Sequence, residues 1–290
     1  MEIKHQFDFN WELLIDHLKS IGPFLYYNNP GNAGDCLIYF GMCRLFKKHS
    51  LKFKPFTLKN FRRNQHVVYS GGGNLVPYYN TCANFIKTNF EKFESFTLLP
   101  HTVHGNEDLL KNLDSRFTLF CREEKSYLHC KQSVKHKNNI KMAHDLAFAL
   151  WPGKYRTPIL IPTFKFDRLT QWSSNKRKIN NFIMTGGTSF FRTDKESQHP
   201  ESINDGNMDI SAVLSMNKKK HLRRIIIART FLSLMQKANS IQTDRLHVAI
   251  AGALLGIPTK LYPGTYHKNQ SVWNYSIRPF FDNVSFNSID

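Results

Sequence analysis

Three arginines and one histidine are the residues of this sequence whose types and positions best suit chemistry on a small anion. Arg122, Arg192 and Arg245 each follow a segment with the pattern of a β-strand. A guanidinium group donates paired hydrogen bonds to a phosphate or a carboxylate. His247 lies two residues after Arg245, and an imidazole exchanges protons near neutral pH. Each residue alone also fits a structural role, but together they predict anion binding with acid–base catalysis.

A first glycine-rich segment, residues 31–35, joins a predicted strand to a predicted helix. The backbone amides at the start of a helix carry partial positive charge and bind anions, so Asn32 and Gly34 are candidate substrate-binding residues. We interpret Asp35 either as a helix cap or as a carboxylate that orients a hydroxyl group. The spacing matches neither a dinucleotide-binding loop nor a Walker loop, which argues against both ligands.

A second glycine-rich segment also follows a predicted strand directly. Gly71, Gly72 and Gly73 precede Asn74, and three successive glycines expose their amides without obstruction by side chains. We predict a loop that binds a phosphate or a sugar ring, with a flexible turn as the alternative. No histidine and cysteine pattern suggests a metal site, because the pair His101 and His104 has no third ligand at a suitable spacing.

The elements that must position these residues alternate between strand and helix, which is typical of a parallel α/β architecture. The predicted strands are, in chain order, Pro23–Tyr27, His66–Ser70, Phe96–Leu99 ending at Pro100, Phe117–Cys121, Ile140–His144, Asn181–Thr185, Ser240–Thr243 and Thr259–Tyr262. Predicted helices follow the first, fourth and seventh of these strands. A stretch rich in Pro, Gly, Thr and Lys interrupts the pattern. We therefore predict an N-terminal Rossmann-like domain over residues 1–155, a linker over 156–177 and a C-terminal Rossmann-like domain over 178–290. The two domains would face a cleft, with ligands beyond the carboxyl ends of the strands.

Composition excludes several classes of protein. Hydrophobic residues make up 41% of the 290 residues, which is enough for a core and argues against disorder. No apolar run approaches the roughly 20 residues that a membrane span requires, and the N-terminus does not resemble a signal peptide. Five cysteines without a paired spacing predict reduced thiols. These features predict a cytoplasmic protein.

The sequence is strongly basic, with a formal net charge of +18. Its Lys and Arg clusters are scattered, and no nucleic-acid-binding motif accompanies them, so we expect no nucleic-acid partner. Solvated surfaces account for most such charge. Peripheral attraction to an anionic membrane is the functional alternative.

The ordered motifs of the chain resemble the polysaccharide pyruvyl transferase family, in its branch for exopolysaccharide and capsule biosynthesis. The resemblance rests on segments that run nearly the length of the chain: GNAGD, SGGGN, LLP, CREEKSY, HDLAFAL, FRTDKES and TDRLH followed by GIP, with Tyr266-His267-Lys268 near the end. One departure is His101, which stands where the family pattern has a glutamine.

The resemblance implies a fold like that of the GT-B glycosyltransferases and transfer of a pyruvyl group from phosphoenolpyruvate to a sugar, as a ketal. It implies a donor pocket containing Asp35, Arg122, Arg245 and His247, with no cofactor. Arg192 and Lys268 are further candidates for the cleft. The acceptor would be a sugar or a lipid-linked oligosaccharide at the inner face of the cell membrane.

Two other functions remain open from the sequence. One is a glycosyltransferase that uses a sugar nucleotide, although no aromatic residue or carboxylate suited to the nucleoside is evident. The other is a basic binding protein without catalysis, which would explain the charge but not the glycine-rich segments at strand ends.

Overall fold

A computed structural model of the protein describes residue 9 and residues 11–57, 59–151, 169–198, 206–215 and 221–287. The chain divides into two compact units. Unit 1 consists of Met1–Asn29 and Met42–Ala149, and unit 2 consists of Pro30–Gly41 and Leu150–Asp290. The segment Pro30–Gly41, which the sequence prediction placed in the N-terminal domain, therefore groups with the second half of the chain.

Unit 1 is built on a seven-stranded parallel sheet in the order β2-β1-β3-β5-β6-β7, and β4 pairs with the end of β5. Its strands are β1 (Phe24–Tyr27), β2 (Phe53–Pro55), β3 (His66–Tyr69), β4 (Gly72–Leu75), β5 (Ser95–Val103), β6 (Phe117–Cys121) and β7 (Ile140–Met142). Its helices are α1 (Glu12–Ser20), the C-terminal part of α2 (Ala33–Lys48), α3 (Thr81–Asn89), α4 (Glu107–Lys111) and α5 (Glu124–Ser133).

Phenylalanines fill the core of unit 1. Phe96 on β5 stacks on Phe93 and on Phe117 of β6, with ring centroids 5.7 Å apart in both pairs. All three side chains are buried. Offset aromatic pairs add about 0.5–1.5 kcal/mol each beyond the area they bury, so these rings fix neighbouring strands against one another.

Two predictions for unit 1 are wrong in detail. Strand β5 does not end at Pro100 but continues to Val103, so His101 lies within the sheet. The pairing of β5 with β6 shifts register between Leu98 and His101, and a bulge tolerates the missing N–H of a proline. The second glycine-rich segment is not a loop, because Gly72–Leu75 forms strand β4.

Unit 2 contains a smaller parallel sheet in the order β10-β9-β8. Its strands are β8 (Ile241–Thr243), β9 (Thr259–Leu261) and β10 (Val284–Phe286). Its helices are α6 (Leu169–Met184), α7 (Ile210–Val213), α8 (His221–Met235), α9 (Leu246–Leu255) and α10 (Lys268–Val272), together with the N-terminal part of α2. Helix α9 is almost entirely buried, which explains its continuous apolar sequence.

The predicted strand Asn181–Thr185 is wrong, because these residues lie in and just after α6. Trp172, Ile179 and Ile183 are its buried residues and recur at helical spacing. The extended segment that pairs with β8 comes later, with Ser189 bridged to Gln242. Helix α6 also covers residues 169–177 of the predicted linker, whose residues 156–168 lie outside the described residues.

The fold is thus mixed α/β with a mostly parallel central sheet. Two Rossmann-like domains in a GT-B-like arrangement remain a prediction. Within the described ranges, no helix has the length and apolarity needed to cross a membrane.

Candidate functional site

The first glycine-rich segment forms a reciprocal cap at the start of α2. The Gly34 N–H donates to Asn32 Oδ1 at 2.8 Å, and the Asn32 N–H donates to Asp35 Oδ2 at 2.6 Å. This is the geometry of a capping box, which satisfies amides that a helix leaves unpaired. A Cβ atom at Gly31 would lie 1.7 Å from Asp35 Oδ2, so only glycine leaves room for this carboxylate. Asp35 therefore does cap the helix; its role toward a hydroxyl group stays a prediction.

His247 packs directly against this cap. A Cβ atom at Gly34 would lie 2.5 Å from His247 Nδ1, so the glycine is required for the imidazole to occupy its place. His247 lies in the first turn of α9 and is half-buried. Two motifs that are distant in the sequence, the one around Gly34 and the one around His247, are thus brought into contact within unit 2.

The start of α9 fixes Arg245 by its backbone. The Arg245 N–H donates to Thr243 Oγ1 at 2.9 Å, and this hydroxyl donates in turn to the Phe190 carbonyl at 2.7 Å. The buried guanidinium pairs with two carboxylates. It binds Asp209 through Nε, at 3.0 Å, and through Nη2, and its Nη1 lies 2.9 Å from Asp194 Oδ2.

Arg192 extends the same network. Its Nε donates to Asp194 Oδ1 at 2.8 Å and its Nη1 to Glu196 Oε2 at 2.5 Å. Lys268 Nζ donates to the same Glu196 oxygen at 2.5 Å. The Arg192 N–H donates to Asp244 Oδ1 at 2.8 Å. We name these seven residues the unit 2 charge cluster: Arg192, Asp194, Glu196, Asp209, Asp244, Arg245 and Lys268.

The carboxylates of this cluster differ in their protonation. Burial would raise the pKa of Asp194, but its hydrogen bond with Arg192 and the charge of Arg245 outweigh burial and lower the pKa to about 2. Asp244 is fully buried, and burial raises its pKa to about 6 despite the two arginines nearby. The three basic side chains are therefore largely neutralised within the cluster, and Asp244 exchanges its proton in mildly acidic solution.

In unit 1, Arg122 is held at the end of β6 by two side chains. Its Nε donates to Thr102 Oγ1 at 2.8 Å, and its Nη1 donates to Asp145 Oδ2 at 2.7 Å. Arg122 and Asp145 are each only 1% exposed. A Cβ atom at Gly73 would lie 2.8 Å from Arg122 Nη2. The guanidinium therefore approaches the backbone of β4, and we name Arg122, Thr102, Asp145 and Gly73 the Arg122 site.

A second polar group in unit 1 fixes Asn74. The Asn74 N–H donates to His101 Nε2 at 3.0 Å, while its Nδ2 donates to Asn29 Oδ1 at 3.0 Å and to the Tyr69 hydroxyl at 3.1 Å. Burial, reinforced by the charge of Arg122, lowers the pKa of His101 to about 3. His101 is thus a neutral acceptor, and the predicted loop of glycines is instead an ordered strand held by hydrogen bonds.

The predicted site residues therefore fall into two groups, each described within its own unit. Unit 1 brings Gly73 against Arg122 and continues through Asn74, with Gly71 and Gly72 in the same segment. Unit 2 joins Asn32, Gly34, Asp35 and His247 at one helix start, and joins Arg192, Arg245 and Lys268 through shared carboxylates.

The sequence analysis did not predict the residues that pair with the three arginines, which are several carboxylates and Thr102. Asp194 and Glu196 follow Arg192 at a spacing that signals local ion pairs, and could have been found. Asp145 lies in the HDLAFAL segment noted above, but neither it nor Asp209 is close in sequence to the arginine it pairs with, so no local pattern predicts these ion pairs. In the part of the chain described, no group of three or more His, Cys, Asp or Glu side chains could hold a metal ion.

Comparisons with known proteins agree with the motifs. The sequence profile of the polysaccharide pyruvyl transferase family matches residues 32–259. No sequence among the curated proteins matches the chain. The crystal structure of a functionally uncharacterized protein from Klebsiella pneumoniae is similar, with a TM-score of 0.77 and 27% sequence identity, over 96% of this chain and 97% of that one. The family match covers most of the sequence, including every motif from Asn32 to His247, and the chain therefore belongs to the polysaccharide pyruvyl transferase family.

Proposed function

We propose that this protein transfers a pyruvyl group from phosphoenolpyruvate to two hydroxyl groups of one sugar, forming a cyclic ketal. The observation that carries the proposal is the packing of His247 against Gly34 at the capped start of α2. This contact places an imidazole, which can donate or accept a proton, beside the N-terminus of α2. A helix N-terminus favours the binding of anions. Family membership supports a transferase with a polysaccharide acceptor.

The proposed reaction balances without a cofactor. A proton is added to the methylene carbon of phosphoenolpyruvate, which makes the neighbouring carbon electrophilic. One sugar hydroxyl attacks that carbon and loses its proton. Phosphate leaves, and a second hydroxyl closes the ring and loses its proton. The products are a pyruvyl ketal, whose former methylene carbon is a methyl group, and inorganic phosphate.

Within this scheme His247 supplies and recovers protons. Asp35 orients the sugar hydroxyl through its carboxylate. Arg245 and Arg122 bind the phosphate and carboxylate of the donor, and the amides of the Gly71–Gly73 segment contribute further donors. The Gly34 N–H is already bonded to Asn32, so Gly34 serves the site by leaving room for His247. Asn32 and Asn74 fix these backbone segments.

Arg192 and Lys268 are weaker candidates for contact with the donor. Both donate to Glu196, so their charge is already balanced where they lie. Arg245 is paired with Asp209 and Asp194 in the same way, so its proposed role rests on the family motif. Their pairing supports a role in holding the loop that follows Phe191, from which Asp194 reaches Arg245.

The acceptor and the location of the enzyme in the cell are part of the same proposal, and both are inferred from the family. The acceptor is a sugar of a surface polysaccharide or its lipid-linked oligosaccharide precursor, modified in the cytoplasm, with the enzyme peripheral at the inner face of the membrane. Nucleic acid is not a proposed partner.

The test is mass spectrometry of acceptors after incubation with the full-length protein and phosphoenolpyruvate. Suitable acceptors are sugars with 1,2- or 1,3-diols, since both hydroxyls must reach one carbon. Parallel reactions replace phosphoenolpyruvate with sugar nucleotides. A product heavier by one pyruvyl ketal, with phosphate released, is expected. Reaction only with a sugar nucleotide would contradict the proposal.

A matched pair of variants tests the role of His247. His247→Ala is expected to lower turnover by about 10²–10⁴-fold, the usual contribution of an acid–base group. His136→Ala, at an exposed histidine of unit 1, is the control and is expected to retain full activity. In deuterated water the product methyl group should carry one deuterium, because its third hydrogen comes from solvent through the enzyme.

A further inference from the structure

One long stretch of unit 1 carries positive charge without any compensating acidic residue. Between Asp35 and Glu91 the sequence has nine Lys and Arg but no Asp or Glu. The structure places Lys47, Lys48, Lys52 and Lys54 at one edge of the seven-stranded sheet, where α2 ends and β2 forms the edge strand. Lys59, Arg62 and Arg63 lie on the segment between β2 and β3, whose last residues bond to the segment before β5. We name this surface the basic edge; its exposed members are Lys47, Lys48, Lys52, Lys54, Lys59, Arg62 and Arg63.

Ordinary structural roles account for only part of this charge. Lys47 and Lys48 suit the negative end of the α2 dipole. Lys54 and Pro55 protect an edge strand from pairing with another chain. Neither reason applies to Lys59, Arg62 and Arg63, and none of the ion pairs between described residues involves the basic edge.

Aromatic side chains hold the segment between β2 and β3, which carries Lys59, Arg62 and Arg63, against the rest of unit 1. Phe56 packs against Tyr27 and Phe61 against Phe93, with ring centroids 5.6 and 5.5 Å apart. The Phe56 N–H donates to the Tyr26 carbonyl at 2.8 Å. The Arg62 guanidinium also donates to the Lys59 and Phe61 carbonyls, at 3.0 and 2.9 Å. The basic side chains of this segment are therefore presented from an ordered backbone.

The surrounding potential is positive as well. His49 follows α2 directly, and burial together with the charges of Lys48 and Lys19 lowers its pKa. Lys19, at the end of α1, is exposed and thus adds to the same positive field.

We propose that the basic edge is the surface by which unit 1 lies on an anionic phospholipid bilayer. Lipid headgroups present many negative charges in one plane, which suits exposed cations spread over an edge. A single-stranded nucleic acid would need aromatic rings to stack on, and Phe56 and Phe61 are already packed inward. The proposal rests on the part of the proposed function that places the enzyme at the inner face of the membrane, and it names the surface involved. No residue of the catalytic scheme belongs to the basic edge, so the two proposals are tested separately.

The opposite edge of the same sheet provides a matched control. Strand β7 lies there, with α5 packed against it and α4 against α5. Exposed lysines on this side are interspersed with exposed acidic residues. The lysines are Lys111, Lys125, Lys135 and Lys137, and the acids are Glu107, Asp108 and Glu124.

The experiment is vesicle flotation of the full-length protein. It compares vesicles of phosphatidylcholine alone with vesicles of equal parts phosphatidylcholine and phosphatidylglycerol. Binding to the anionic vesicles alone, weakening as salt rises, is expected. One variant carries Lys52→Gln, Lys54→Gln, Lys59→Gln and Arg63→Gln. The control variant carries Lys111→Gln, Lys125→Gln, Lys135→Gln and Lys137→Gln, with the same change of net charge.

The basic-edge variant should lose at least about tenfold in partitioning, since each basic residue near an anionic leaflet contributes roughly fivefold. The control should lose clearly less. Equal losses of vesicle binding in the two variants, or equal binding of the wild type to both kinds of vesicle, would overturn the proposal. So would a wild type that binds no vesicles but binds duplex DNA, with that DNA binding lost in the basic-edge variant. All eight side chains are exposed, so matching circular dichroism and unfolding temperatures are expected. Turnover on a soluble acceptor should not change.

Discussion

The Arg122 site and the unit 2 charge cluster solve the same problem, a buried guanidinium, in different ways. Arg122 has one carboxylate and one hydroxyl, both from other strands or turns. Arg192 and Arg245 share Asp194, and each has a further carboxylate of its own. The first arrangement depends wholly on one partner, whereas the second distributes the charge over several. We therefore expect the two regions to respond differently to the loss of a single carboxylate.

The largest expected effect is the loss of Asp145. Asp145→Ala leaves the Arg122 charge buried without a counterion, which typically costs about 3–5 kcal/mol of stability. Asp194→Ala should cost less than half as much, because Arg192 keeps Glu196 and Arg245 keeps Asp209. Chemical denaturation of both variants measures the difference. Equal losses would show that the second cluster does not share its charge.

The next effect concerns two glycines that make room for a functional side chain. Gly34→Ala places a methyl group 2.5 Å from His247 Nδ1, and Gly73→Ala places one 2.8 Å from Arg122 Nη2. Because a displacement of about 1 Å can cost roughly 10²-fold in rate, each variant should lose activity in the pyruvyl transfer assay. Gly34→Ala should lower kcat, and Gly73→Ala should mainly raise KM for phosphoenolpyruvate. Gly22→Ala is the control: its positive φ strains an alanine although nothing lies near the new methyl group, so this variant should lose stability and keep its activity.

The two units should also respond to pH with opposite sign. His101 has a folded pKa of about 3, below its unfolded value, so the unfolded state binds the extra proton and stability rises with pH up to about 6.5. Asp244 has a folded pKa of about 6, above its unfolded value, so the folded state binds the extra proton and stability falls between about pH 4 and 6.

Each of these groups changes stability by at most about 1.4 kcal/mol per pH unit within its window. Calorimetry of His101→Gln and Asp244→Asn between pH 4.5 and 6.5 separates them. His101→Gln should flatten the rise, and Asp244→Asn should flatten the fall. Identical pH profiles of a variant and the wild type would contradict the assignment for that residue.

The smallest effect should come from Lys268. Its ammonium group shares Glu196 with Arg192, so Lys268→Met leaves that carboxylate paired and should cost about 1 kcal/mol or less. Thermal unfolding against Asp145→Ala measures the contrast. A loss as large as that of Asp145→Ala would mean that Lys268, not Arg192, neutralises Glu196.

How much of this could be predicted from the sequence depends on the distance over which each feature is encoded. Local patterns predicted the strands β1, β3, β6, β7, β8 and β9 and the helices that follow β1, β6 and β8, and they placed Gly34 and His247 at helix starts. A run such as Phe182-Ile183-Met184 fits a strand as well as a helix, and only packing decides, so α6 was mistaken for a strand.

The charge partners lay beyond prediction for a different reason. Whether Arg122 meets Asp145 depends on the parallel pairing of β6 with β7 and on the turn that follows β7, neither of which is marked near the arginine. The sequence therefore predicted three guanidinium groups available to a ligand, whereas the structure pairs Arg122 with one carboxylate and Arg192 and Arg245 with two each. His101 likewise gained its place in β5 only because a bulge accommodates Pro100.

The proposed function depends most on the contact between His247 and the Gly34 cap. The rate of phosphate release from phosphoenolpyruvate tests the role of His247 most directly. The measurement compares wild type, His247→Ala and His136→Ala with an acceptor that mass spectrometry has shown to gain a ketal. We expect His136→Ala to release phosphate at the wild-type rate. We expect His247→Ala to release phosphate at least about 10²-fold more slowly while keeping the wild-type unfolding temperature. A His247→Ala variant that works at the wild-type rate would contradict the proposed role of His247.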